Sequence, residues 1–261
     1  MKVGPTKFRV GSLPVEVYED AQALGGVAAA RAARILRDAV HARGQARVVL
    51  ATGNSQYAFT EALVHEDVPW DRVTVFHMDE YVGISDDHSA SFQRWIRERI
   101  ADRVHPARVE YINGQADPVE EAARYEAALR EAPLDLVCMG IGENGHLAFN
   151  EPFDADFDDE RWARIIELTP ESRRQQVAEG HFPSEADVPA RAVSLTIPAL
   201  LSAAYVQVCV PEERKAAAVK RTLRDPVSSA CPATILRETP NAILYLDADS
   251  ASLVPGLASE L

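Results

Sequence analysis

The stretch from Asp135 to Pro152, DLVCMGIGENGHLAFNEP, constrains the fold more than any other part of this chain. It opens as an unbroken apolar run, the pattern of a strand buried on both faces. It then breaks into Gly140, Gly142 and Gly145 and ends in closely spaced polar residues. A strand of that kind belongs to a mostly parallel sheet covered by helices, and such sheets bind ligands at the carboxyl edge of their strands. The glycines allow a sharp turn and a close approach of backbone to ligand. His146 and Glu151 follow on the same turn. A histidine beside a carboxylate is the usual pairing for proton transfer near neutral pH. A strand end carrying a structural, hydrogen-bonded histidine is the plainer alternative.

The rest of the chain agrees with that sheet. Phe8–Val10 and Val15–Tyr18 read as a short antiparallel edge pair around a Gly11–Pro14 turn. Asp20 is placed to cap an alanine-rich helix that runs to about Ala42 and is ended by Gly44. Strands are then expected at Ala46–Ala51, Val73–His77, Val109–Ile112 and Leu134–Met139, followed by Val193–Thr196, Ala204–Val210 and Ala242–Leu246. Helices are expected at Gln56–Val64, Ser89–Arg99, Pro118–Glu131 and Glu212–Leu223. Strand–helix alternation predicts an α/β fold: a doubly wound, mostly parallel, Rossmann-like sheet with helices on both faces. No repeat, linker or low-complexity segment divides the chain, so residues 1–261 read as one domain.

The rhythm fails between Glu151 and Arg191, and an insertion of this length suggests an active-site lid over about residues 153–190. Asp154, Asp156 and Asp158 hint at a calcium loop. Its sixth position, however, is Asp159 instead of glycine and its twelfth is Ile165 instead of glutamate. A solvated acidic loop is the better reading, with no metal.

A net charge of −13 disfavours nucleic acid and anionic membrane surfaces as partners. Any anionic small molecule must then be held by a local positive pocket. Cys138, Cys209 and Cys231 are far apart, and two of them lie in strand-like runs, so buried thiols are expected instead of a disulfide or metal site. No apolar run reaches the roughly 18 residues that span a membrane. Met1–Arg9 lacks the apolar core of a signal peptide. A cytoplasmic protein is expected.

Two further strand ends carry polar clusters. Thr52-Gly53-Asn54-Ser55 follows strand Ala46–Ala51 and precedes a helix, an arrangement of small side chains and backbone N–H groups that suits an anion. It lacks the spaced glycine and lysine of a Walker loop, and Ser55 serves equally as a plain helix cap. Asp79 and Glu80 follow strand Val73–His77, where chemistry in this fold class occurs. An anion cradle, a carboxylate and a His/Glu pair at three strand ends converge on one crevice.

Thr52–Ser55, FHMDEYVG over Phe76–Gly83 and GIGENGHLAFNEP over Gly140–Pro152 resemble the glucosamine-6-phosphate deaminase/isomerase family, in the same order along nearly the whole chain. The last two motifs are specific; the first is weak alone. The resemblance implies a doubly wound fold that interconverts glucosamine 6-phosphate and water with fructose 6-phosphate and ammonia. It implies no redox cofactor and no obligate metal. Asp79 matches the base for the carbon-bound proton, His146 the ring-opening histidine, and Glu151 the carboxylate that orients it. Thr52, Gly53, Asn54 and Ser55 match the phosphate loop and Lys215 the phosphate lysine, although Lys215 alone reads as an exposed surface residue.

Asn144 stands where better-known members have aspartate. An amide can still hold the histidine by hydrogen bonds but adds no charge. A lid arginine for the phosphate is also expected, with Arg173 or Arg174 the nearest candidates. The chain stops at Leu261, shorter than allosterically regulated members, so unregulated kinetics are expected. A monomer and a homo-oligomer both remain open. The related 6-phosphogluconolactonases are the main rival; Tyr81 and Phe149-Asn150-Glu151 favour the deaminase. A galactosamine-6-phosphate isomerase, or an isomerase of a neutral sugar phosphate, remains open, because hydroxyl stereochemistry is read by contacts the sequence does not reveal. A non-catalytic sugar-phosphate sensor is disfavoured, because Asp79, His146 and Glu151 are all present and no DNA-binding segment precedes the first strand.

Overall fold

The computed structural model describes residues 4–254, so the readings at Met1–Val3 and at the Leu261 end lie outside the described residues. Strands β1 (Thr6–Val10) and β2 (Leu13–Tyr18) form the expected antiparallel pair. Helix α1 (Ala21–Arg43) starts where the Asp20 side chain accepts from Ala23 N and stops at Gly44, whose φ of 77° is cheap only for glycine. Then come β3 (Ala46–Leu50), α2 (Tyr57–Leu63) and β4 (Val73–His77). A three-residue strand β5 (Asp79–Tyr81) follows directly. The next helix is α3 (Phe92–Ile96), which passes through a π-helical turn into α4 (Asp102–Val104). Next are β6 (Arg108–Glu110), α5 (Pro118–Arg130), β7 (Leu136–Met139) and β8 (Ala163–Glu167). The chain continues through α6 (Pro170–Ala178), β9 (Arg191–Leu195), α7 (Ile197–Leu201), β10 (Tyr205–Val210), α8 (Ala216–Arg224) and β11 (Ala242–Asp247).

Eight strands form the main sheet in the order β1-β2-β11-β10-β7-β3-β4-β6, parallel except at β1. The chain winds outward from β3 through β4 to β6, returns to β7 beside β3, and continues to the other side through β10 and β11. The crevice at this reversal is the expected ligand position, and the loops after β3 and β7 meet there. Successive residues serve opposite faces. Val49, Phe76, Val137 and Val208 join one core beneath α5, α7 and α8, whereas Val48, Val75, Leu136 and Cys209 join another beneath α1 and α2. All three cysteines are buried and free.

One strand lies elsewhere than expected. Val193–Thr196 falls largely within β9, which joins a separate antiparallel sheet in the order β5-β9-β8, not the main sheet. A pairing partner is set by tertiary position, which an apolar run does not encode. This sheet carries a third core in which Tyr81, Phe92, Phe149 and Phe182 pack together. The insertion is therefore built of β8, α6 and an ordered return. Two residues of its acidic stretch are paired: Asp154 accepts from Arg164 at 2.7 Å, and Asp159 accepts twice from the Arg161 guanidinium at 2.9 Å, while Asp156, Asp158 and Glu160 are exposed. Among the described residues no helix is long and apolar enough to cross a membrane.

Candidate active site

The loops after β3, β4, β7 and β10, with the end of α6, line an open cleft. Thr52, Gly53, Asn54, Ser55, Asp79, His146 and Lys215 all line it. The three expected strand ends thus share one hollow, and the end of β10 joins them with Lys215. Asn144 and Glu151 stand behind His146, and neither Arg173 nor Arg174 reaches the cleft. Arg173 donates to the Glu185 carbonyl, and Arg174 pairs with Glu171 at 2.9 Å.

Asp79 is held by the backbone behind it. The buried His77 receives a hydrogen bond from Ile112 N at Nε2 (2.9 Å), so its proton sits on Nδ1, which donates to the Asp79 carbonyl at 2.9 Å. Burial drives the His77 pKa down to about 4, fixing this neutral form. The Asp79 carboxylate accepts no hydrogen bond among the described residues. Burial, and secondarily the Glu80 charge, push its pKa up to about 8. Glu80 turns the other way and accepts from Tyr81 N, Ser91 Oγ, Phe92 N and Gln93 N, which anchors the start of α3.

His146 rests on Gly142. A Cβ there would stand 2.1 Å from His146 Nε2, so glycine is needed for the imidazole itself. Gly145 has φ +91° and leaves room for the Cys231 thiol. Glu151 is fully buried, and its Oε2 lies 3.7 Å from His146 Nδ1, a charge contact longer than a hydrogen bond. Asn144 clamps both: its Nδ2 donates to Glu151 Oε2 at 2.9 Å, and its Oδ1 accepts from His146 N at 3.0 Å. Ser172 Oγ donates to Glu151 Oε1. Burial opposes ionisation of Glu151, but His146 and the Ser172 and Asn144 bonds outweigh it and hold its pKa below the ordinary value.

Ser55 does not cap α2. It takes part in a short turn whose neighbour Gln56 donates to Ser55 Oγ at 3.1 Å and to the Cys209 carbonyl at 3.2 Å, tying the loop to the end of β10. Lys215 is buried against the cleft instead of lying on the surface, and burial lowers its pKa. Glu212, with φ +84°, turns the chain here while its N–H donates to the Asp247 carboxylate.

Several cleft residues have no counterpart in the sequence reading: Gln56, Gln175, Gln176, Glu179, His181 and Arg214. Arg214 was legible in principle, since it adjoins Lys215 at a parallel strand end. The helix that carries Gln175 and Gln176 gave no periodic signal.

A profile of the family described as glucosamine-6-phosphate isomerases/6-phosphogluconolactonase matches residues 19–245. The chain belongs to that family. A glucosamine-6-phosphate deaminase of Exiguobacterium sibiricum is 36% identical over 210 residues, covering 78% of this chain and 80% of that protein. One from Bacillus cytotoxicus is 33% identical over 222 residues, covering 84% and 82%. Among solved structures, a monomeric glucosamine-6-phosphate deaminase superimposes with a TM-score of 0.84 at 27% identity over 92% of this chain and 99% of that one. A 6-phosphogluconolactonase from Shewanella baltica reaches 0.76 at 21% identity over 94% of this chain and all of that one, a likeness of fold. This member has Asn144 against Glu151 and no arginine from α6 in the cleft.

Proposed function

We propose that this cleft converts glucosamine 6-phosphate and water to fructose 6-phosphate and ammonia. The observation that carries the reading is a buried, unbonded carboxylate, Asp79, sharing a hollow with His146 and an anion loop. The two deaminases that are 36% and 33% identical over most of this chain support it.

The proposed steps combine the chemistry the family resemblance implies with the side chains that line the cleft. With Glu151 ionised near Nδ1, the imidazole keeps its proton there, and Nε2 is the nitrogen left to serve the substrate. Nε2 takes the proton of the anomeric hydroxyl, and the imidazolium returns it to the ring oxygen, which opens the ring. The Asp79 carboxylate then removes the proton from C2, which bears the ammonium group; the electron pair forms a C1–C2 double bond, and the displaced carbonyl pair on O1 takes a proton from that ammonium, giving an enolamine. Asp79 returns a proton to C1, leaving an imine at C2. Water adds to that imine and ammonia departs. The desolvated Asp79 is a stronger base than an exposed aspartate, suited to a carbon acid. Thr52, Gly53, Asn54, Ser55 and Lys215 hold the 6-phosphate in this scheme, and residues 153–190 act as the lid of a single domain. A cytoplasmic location goes with this reading, and the free, buried cysteines suit a reducing compartment.

A coupled assay for ammonia and fructose 6-phosphate tests the proposal, with galactosamine 6-phosphate and 6-phosphogluconolactone as comparison substrates. Release of both products from glucosamine 6-phosphate is expected. Preferred lactone hydrolysis without ammonia would replace the reading with its lactonase rival.

A further inference from the structure

The anion end of the cleft holds an unexpected group. Glu179, just past the end of α6, lines the cleft together with Thr52–Ser55, Arg214 and Lys215. Its Oε1 accepts from Arg214 Nη1 at 2.7 Å, while Gln175 donates to the same oxygen at 2.8 Å and His181 Nε2 lies 3.3 Å from Oε2. The side chain is 8% exposed. Burial works against its charge, but His181, Gln175 and the Arg214 and Lys215 cations overcome this and hold its pKa at about 2. An ionised carboxylate therefore stands where a phosphate is to bind.

Arg214 is the only arginine that lines this cleft among the described residues. Its Nη1 also faces Glu143 at 3.4 Å, and its Nε pairs with Glu212. A guanidinium offers phosphate a planar fork of donors that lysine lacks. A dianion placed beside Lys215 would meet Glu179 as a like charge, and Arg214 as a cation already engaged by that carboxylate. Both obstacles vanish if the anion takes the position of Glu179 on Arg214.

The geometry points to Arg214 as the second cation of the anion subsite, kept engaged by Glu179 until the phosphate of the substrate displaces that carboxylate. Glu179 is thus a competitor that sets how tightly a phosphate must bind, and it acts as a filter: a sugar lacking the anion cannot displace it. The inference rests on the sugar-phosphate reading above and names a residue pair that the sequence did not indicate.

Calorimetric titration of the full chain with inorganic phosphate and with fructose 6-phosphate tests the exchange, with fructose as control. Glu179→Gln is expected to tighten phosphate binding about five- to fiftyfold, because a charge-assisted contact no longer has to be broken. Arg214→Gln is expected to weaken it about ten- to a hundredfold. In the Arg214→Gln background the Glu179 effect should shrink to the residual like-charge repulsion beside Lys215, and an undiminished effect would overturn the exchange. Glu179→Ala frees the same guanidinium and replaces Glu179→Gln if that variant does not fold. Unchanged or weaker phosphate binding in the Glu179 variants overturns the exchange, as does unchanged binding in Arg214→Gln. These titrations need no turnover. Tighter phosphate binding with no ammonia release sinks the deaminase reading alone, whereas normal turnover with no tightening sinks the exchange alone.

Discussion

Asp79 and Glu80 are neighbours on β5 with opposite surroundings: Glu80 accepts four hydrogen bonds, and the Asp79 carboxylate accepts none among the described residues. Satisfied and unsatisfied carboxylates side by side separate two tasks, holding α3 and accepting a proton. Asp79→Asn removes the base but keeps the shape. Turnover should fall by about 10²- to 10⁴-fold, the usual worth of a positioned acid–base group. Binding of fructose 6-phosphate should stay within a few-fold of the native protein by calorimetry, and loss of that binding would assign Asp79 a structural role.

The pH profile should carry the mark of that burial. A base must be ionised to act, so kcat/KM is expected to fall as pH drops through about 8, the value to which burial and then Glu80 raise Asp79. Glu80→Gln removes the like charge and should move this limb to lower pH, while costing stability because two acceptor oxygens of the α3 anchor become one. A limb in the ordinary carboxylate range for the native protein would contradict the assignment.

Stability should respond in the same window. The folded state holds a proton on Asp79 that the unfolded chain releases near the ordinary aspartate value of 3.8. That contribution is complete below the unfolded value and is lost as pH rises through about 8. Melting temperatures measured from pH 5 to 9 should therefore decline more in the native protein than in Asp79→Asn.

At Glu151 the contacts predict two distinct failures. Ser172→Ala deletes a hydroxyl donor to the buried carboxylate and should cost about 1–3 kcal/mol of stability and lower kcat with little change in KM. Asn144→Asp sets a second carboxylate against Glu151 Oε2 in place of the 2.9 Å amide bond. Denaturant unfolding should show the larger loss for Asn144→Asp above pH 6, where both carboxyl groups are to be ionised.

Glycine substitutions separate site from scaffold. In Gly142→Ala the new Cβ meets the far end of the His146 side chain, which can swing away, so folding should survive and kcat should fall about 10²-fold or more. In Gly25→Ala the new Cβ lies 2.6 Å from the Ala58 backbone carbon, which cannot move without shifting α2 against α1. That variant should melt several degrees lower while any properly folded fraction keeps its activity.

Much of this was legible in the sequence because the responsible residues are local. Asp20 and Gly44 bracket α1 through their own backbone and side-chain preferences, and the unbroken apolar runs at β3, β4 and β7 mark strands covered on both faces. What stayed hidden depended on partners distant in the chain. β5 is three residues long and exists because β9 lies beside it. α6 escaped because its buried residues are Ser172 and Gln176, which leave no apolar stripe to count. Glu179 and Arg214 went unremarked because only the fold joins them, across 35 positions of sequence.

That inward face of α6 has a mechanical consequence. Ser172, Gln176 and Glu179 lie about one helical turn apart and are fastened to Glu151, Tyr81 and Arg214 by polar contacts. Water can replace each fastening when the helix lifts, at little net cost. A helix seated on leucines would expose oily surface on lifting, whereas this one would give up mainly bonds that solvent readily supplies, with Val177 its one apolar contact to the third core. If the segment acts as the proposed lid, α6 lifts from the third core alone, and the two cores that flank the main sheet stay shut.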